Sequence, residues 1–211
     1  MRALLILPPG AGPPETGEAD TLVLTEATGW DADRAARLRA GPDAPRLYVQ
    51  IASGAEELPA AMALRPDGVM LAGAEGGWDV ARLGARLAVA EAEQGLVDGA
   101  TRILPVVGTA RGVLCAGSLP GSSPRLSGLA WDAAALARDL GLEAPRAPDG
   151  AWPAPLAHAR GLLPLAAAAA RVPAIETADA DAHAARRDGF FGMLTRDAGQ
   201  VGAIAAAFGV R

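Results

Sequence analysis

Chemistry in this chain is concentrated where apolar runs give way to helical patterns. The run Arg102–Val107 is followed by Gly108 and then by T-x-R-G, residues 109–112. Thr109 suits a helix N-cap. Arg111 and Gly112 would then sit in a first helical turn, where free backbone N–H groups can receive a phosphate or carboxylate. The plainer alternative is a surface arginine beside a glycine that only eases helix–strand packing. Further on, Trp131 and Asp132 close a second apolar run and precede the helical pattern A-A-A-L-A-R-D-L, which Gly141 ends. Asp132 is either a ligand-facing carboxylate or the cap of that helix. Glu176 ends another run, V-P-A-I-E, and is either a site carboxylate or a solvated acid at a loop mouth.

Composition removes several chemistries. All 19 basic residues are arginine. A Schiff-base aldolase needs a lysine amine, and a P-loop needs a lysine at the phosphates, so neither mechanism is available. The formal net charge of −5 and the scattered arginines, such as Arg34, Arg37 and Arg39, argue against nucleic-acid binding. Cys115 is alone, which excludes an internal disulfide and a thiolate metal cage, and its V-L-C-A setting predicts a buried small hydrophobe. His158 and His183 fall in helical segments without metal-ligand spacing, and Ser122 and Ser123 have no partnered histidine for a hydrolase triad. The opening run is cut by Pro8 and Pro9, unlike a signal peptide, and the longest apolar run, Gly161 to Ala170, is too short to span a bilayer. A cytoplasmic protein is expected, with no membrane partner.

The elements that must position these residues alternate along the whole chain. Strands are predicted at Ala3–Leu7, Thr21–Thr25, Arg46–Ile51, Gly68–Ala72, Arg102–Val107, Arg125–Leu129, Val172–Ile175 and Phe190–Thr195. Each is nearly continuously apolar, as parallel strands buried on both faces should be. Helices are predicted at Ala32–Ala40, Ala55–Leu64, Asp79–Glu93 with Asp79 as N-cap, Arg111–Gly117, Asp132–Leu140, Pro155–Arg171, Ala178–Arg187 and Ala198–Phe208. Between the first two strands, PPGAGPPETGEAD predicts a short or missing helix. Residues 1–211 are therefore expected to form one α/β domain, a compact (β/α)8 TIM barrel, with an open doubly wound sheet as the alternative. A barrel places its site at the C-terminal strand ends.

The segment from Arg102 to Gly141 resembles the citrate lyase beta-subunit-like family of the HpcH/HpaI aldolase group. That family carries E-T-x-R-G after one strand and G-x-x-D-L-A-x-D-L-G at the next. VPAIET, GFFGMLTRDAGQV and RPDGVMLAGAEG match further family motifs less closely. The resemblance implies a TIM barrel and a Mg2+-dependent carbon–carbon lyase or aldolase acting on acyl-CoA or 2-oxo acid substrates. In such enzymes a dication held by Glu and Asp stabilises the enolate that forms.

Carried over by position, the metal Asp corresponds to Asp132, whereas the metal Glu corresponds to Gly108. Tyr48 or its neighbour stands at the third-strand Arg position, Gln50 at the Asn, Gly73 at the fourth-strand Lys, and Met193 and Asp197 at the eighth-strand Lys and His. Arg46 could substitute for the Arg from deeper in the strand. The resemblance makes Asp132 and Arg111 the candidate catalytic residues and Thr109, Gly112, Trp131 and Gln50 candidate substrate contacts. Glu176, with Asp132, would form a rebuilt metal pair. Trp131 would either fill the space of a metal-bound substrate or form a stacking wall. The expectation is a degraded metal site with impaired or altered activity on a small carboxylate or acyl-CoA. The alternatives are a non-catalytic binding or assembly subunit, and a metal-free site around Arg111, Trp131 and Glu176. A homo-oligomer is expected from the resemblance. The chain ends at Arg211, so the family's helical lid is expected to be absent.

Overall fold

The computed structural model describes residues 1–11, 19–40, 43–52, 56–177 and 181–209. Eight parallel strands form a closed barrel in sequence order: β1 (Ala3–Leu7), β2 (Thr21–Leu24), β3 (Arg46–Ile51), β4 (Gly68–Ala72), β5 (Arg102–Val107), β6 (Leu129–Trp131), β7 (Ala174–Glu176) and β8 (Gly192–Thr195). The ring closes where Ala3 of β1 pairs with Met193 of β8. The predicted barrel is thus the observed one, and the open sheet is set aside. The segment between β1 and β2, where a short or missing helix is expected, lies mostly outside the described residues.

The helices are α1 (Ala32–Leu38), α2 (Leu58–Ala63), α3 (Gly77–Glu93), α4 (Ala110–Leu114), α5 (Ala133–Asp139), α6 (Ala154–Ala170), α7 (Ala182–Arg187) and α8 (Val201–Phe208). Short 3-10 turns at Ala116–Ser118 and Ala198–Gln200 replace the ends of two predicted helices. Gly76, not Asp79, caps α3; the Asp79 carboxylate instead accepts the Glu75 backbone N–H from within the first turn. Cys115 ends α4 and is half-buried, not fully buried. No described helix is long and apolar enough to cross a membrane.

Strand alternation divides the core in two. Leu4, Ile6, Val23, Tyr48, Leu104 and Ile175 are among the residues that fill the barrel interior. The alternate residues, including Leu5, Leu47, Val49, Trp131 and Ala174, join the apolar faces of the helices in the larger outer core. Tyr48 plugs the lower barrel, where its hydroxyl donates to Ser127 Oγ at 3.0 Å, and burial pushes its pKa up. Its ring lies where a side chain at Gly68 would be, so position 68 must lack one.

The strand predicted at Arg125–Leu129 begins later, at Leu129. Arg125 is drawn into a buried ion pair at the opposite end of the barrel from the strand mouths. Its guanidinium donates to both Glu91 oxygens at 2.8 Å, and Glu91 also accepts the backbone N–H groups of Gly99 and Thr101. Burial alone would raise the Glu91 pKa, but these donors outweigh it and hold it at about 2, against an ordinary 4.5. A carboxyl whose pKa is depressed on folding contributes stability above its unfolded value and loses it as protons bind. Stability should therefore fall between about pH 4.5 and 2. Urea midpoints measured across that window should show a shallower decline for Glu91→Gln than for the parent. Parallel declines would remove Glu91 as the cause.

Candidate active site at the strand mouths

The C-terminal ends of the strands surround a cavity of about 600 Å³. Its floor is apolar, made by Ile6, Met70, Val106 and Leu194. Gln50, Asp132, Thr177 and Thr195 add polar groups to the wall, and Arg138, Arg196 and Asp197 stand among its more exposed residues. The loop after α5 contributes Leu142, Glu143, Ala144 and Pro145. That loop is anchored by Trp152, whose ring lies 5.3 Å from Trp131 and 3.5 Å beneath the Arg146 guanidinium.

Asp132 and Gln50 are the two sequence candidates that reach this cavity. Gln50 does so because it follows Tyr48 by two on β3 and shares its inward face. Asp132 stands just past β6 and is also the N-cap of α5, its Oδ1 accepting the Ala135 N–H at 2.8 Å. Such a cap stabilises a helix by about 1 kcal/mol. Arg46 lies at the other end of β3 and is exposed, so it does not replace the third-strand arginine.

Thr109, Arg111 and Gly112 form a separate cluster between the β4 and β5 loops. Thr109 caps α4 by accepting the Gly112 N–H at 3.0 Å. Arg111 Nε lies 3.6 Å from Glu75, and its side chain is largely exposed. Gly112 is packed so closely that a Cβ would come within 2.6 Å of the Ala74 carbonyl oxygen. None of the three lines the mouth cavity.

Glu176 and Trp131 face outward into the helix layer, not into the mouth. The Trp131 indole N–H donates to Glu176 Oε1 at 2.6 Å, and Arg160 of α6 donates to Oε2 at 2.7 Å. Arg160 also donates to Asp188. Burial works against the Arg160 charge, but Asp188 and Glu176 overcome it and raise its pKa above the ordinary value. Trp131 and Glu176 are both fully buried. They clamp α6 to the barrel, so the expected pairing of Glu176 with Asp132 is not formed, and Trp131 is not a wall of the mouth cavity. Met193 likewise lies in the outer core.

The donors can be tested against Mg2+, which takes an octahedral oxygen shell that includes one or two carboxylates. Position 108 supplies none. A Cβ there would stand 2.9 Å from the Ala135 Cβ and 3.5 Å from the Asp132 Cβ, so the first turn of α5 occupies the room a side chain would need. Among the described residues, no three His, Cys, Asp or Glu side chains come together as a metal site. This donor set does not fit the two-carboxylate arrangement.

Thr177 and Arg196 are legible as strand-end residues but carry no role in the sequence reading, and Arg138 and Gln200 are not singled out there; all four line the cavity. Strand alternation was the available signal: Thr177 and Arg196 each follow an interior residue, Ile175 and Leu194, by two. The Thr177 hydroxyl is buried with no hydrogen-bond partner among the described residues.

The chain matches no protein-family model and no curated protein sequence. Solved structures do match. The citrate lyase beta subunit from Mycobacterium tuberculosis superposes with a TM-score of 0.77 at 24% identity, covering 99% of this chain and 97% of that one. The fold is that of a citrate lyase beta subunit. The same subunit complexed with oxaloacetate and magnesium aligns at 24% identity with a TM-score of 0.74, covering 99% and 96% of the two chains. RipC from Yersinia pestis aligns at 23% identity with a TM-score of 0.73, covering 100% and 95%. Barrels of this shape therefore include one solved with magnesium and oxaloacetate.

Proposed function

We propose that this chain is a divergent relative of the citrate lyase beta-like HpcH/HpaI aldolases whose mouth binds a small molecule, and whose metal-assisted carbon–carbon chemistry is lost or altered. One observation carries this reading: Gly108 is packed against α5, which leaves Asp132 without a carboxylate partner from β5. Magnesium-dependent lyases stabilise an enolate with a cation already in place. Asp132 is engaged as a cap and Glu176 with Arg160, and among the described residues no three His, Cys, Asp or Glu side chains gather to hold that ion.

The runner-up is an active lyase with a rebuilt metal site. It is favoured by the position of Asp132 in the wall of a cavity large enough for a small acid. Calorimetric titration with Mg2+ and Mn2+, on the parent protein and on Asp132→Ala, separates the two. We expect no saturable heat that depends on Asp132, and no cleavage of hydroxyacyl-CoA esters above the rate in buffer. A saturable heat abolished by Asp132→Ala, accompanied by turnover, would establish the lyase instead.

A further inference from the structure

We propose that Arg138 and Arg196 hold the ligand directly, binding a small organic carboxylate at the mouth without an intervening dication. This rests on reading the mouth as a metal-independent binding site. Both residues line the cavity, Arg138 from α5 and Arg196 from just past β8. Neither has an ion-pair partner among the described residues, whereas Arg125 and Arg160 are each bound to two carboxylates.

The acids of the same cavity are partly engaged. Asp132 accepts the Ala135 N–H, and Asp197 accepts the Gly199 N–H. Glu143 is exposed on the loop after α5. Charged side chains of both signs therefore line the cavity, and a bulk attraction for anions is not expected. The attraction is local: a planar guanidinium grips a carboxylate through two parallel N–H donors, and the strength of that contact depends on geometry more than on net charge.

Two further features point to an occupant. The Thr177 hydroxyl in the cavity wall is buried without a partner among the described residues, and an acceptor or donor on a ligand would satisfy it. The floor formed by Ile6, Met70, Val106 and Leu194 is apolar, suited to a carbon chain beneath a charged head. Arginine also has to take this role, because the chain contains no lysine.

The test is titration calorimetry of the full chain in EDTA, with succinate, oxaloacetate and inorganic phosphate as probes. We expect a carboxylate to give saturable heat in EDTA. Arg138→Gln and Arg196→Gln should each weaken it about tenfold or more with melting temperature unchanged, as expected for loss of a bidentate charge-assisted contact. Arg82→Gln, on α3 and outside the cavity lining, should leave it as it was. Carboxylate heat in EDTA that survives the double Arg138→Gln, Arg196→Gln variant overturns this assignment but leaves the proposed function standing. Carboxylate heat that appears only when Mg2+ is added overturns both. Heat from phosphate and from neither carboxylate overturns the ligand class, and no heat from any of the three overturns the assignment.

Discussion

Arg160→Met should lower the free energy of unfolding by about 3–5 kcal/mol, the loss typical when one member of a buried ion pair is removed. The methionine fills most of the space but takes the Arg160 guanidinium away from Glu176, which has no exposed surface and also accepts from the Trp131 indole and the Thr177 N–H. Asp188 loses its partner as well. Glu176→Gln should cost less, because the amide oxygen can still accept from Trp131. The double variant should be more stable than the sum of the two single losses, since each single variant already removes the contact between the two groups. Urea unfolding of the four proteins measures this. If Glu176 were a ligand facing the mouth, Arg160→Met would behave as a surface change and shift stability by no more than about 0.5 kcal/mol.

The same residues mark how far the sequence could be read. Seven of the eight predicted strands overlap the observed ones by more than a single residue or match them outright, because a strand buried on both faces is written as a short apolar run. Asp132 and Thr109 were readable as caps, since capping is a local contact three residues long. The facing of Glu176 was not. Its direction follows from alternation counted along β7, in which Ala174 points out, Ile175 in and Glu176 out again. A strand expected to end at Ile175 gives no such count. The late start of β6 was hidden for a related reason: Arg125 is held by Glu91, 34 residues away, and Ser127 by Tyr48, 79 residues away. Contacts of that range are set by the closed barrel and leave no local pattern. Arg138 was legible only as a residue in the last turn of α5, which any helix favours. Its place in one cavity with Arg196 comes from ring closure.

Gly108→Glu should fail to restore a metal site and should destabilise the protein by about 1–3 kcal/mol, the usual cost of overpacking. The new Cβ would meet the Ala135 Cβ at 2.9 Å, and that methyl is fixed to the first turn of α5, so it cannot swing away as the end of a long side chain would. Relief requires α5 to move, and α5 is tied to the barrel by the Asp132 cap. Adding Ala135→Gly removes the obstructing methyl at a cost of up to about 1 kcal/mol for a glycine within the helix. In that double variant the new glutamate would stand beside Asp132, whose Cβ lies 3.5 Å from the place a Cβ at position 108 would take. Two carboxylates and the cavity's water would then meet the needs of an octahedral dication. We expect Mn2+ titration to give binding in Gly108→Glu/Ala135→Gly and none in Gly108→Glu alone. A single variant that folds as stably as the parent and binds Mn2+ would mean that the crowding by α5 is not what separates this barrel from one that holds a dication.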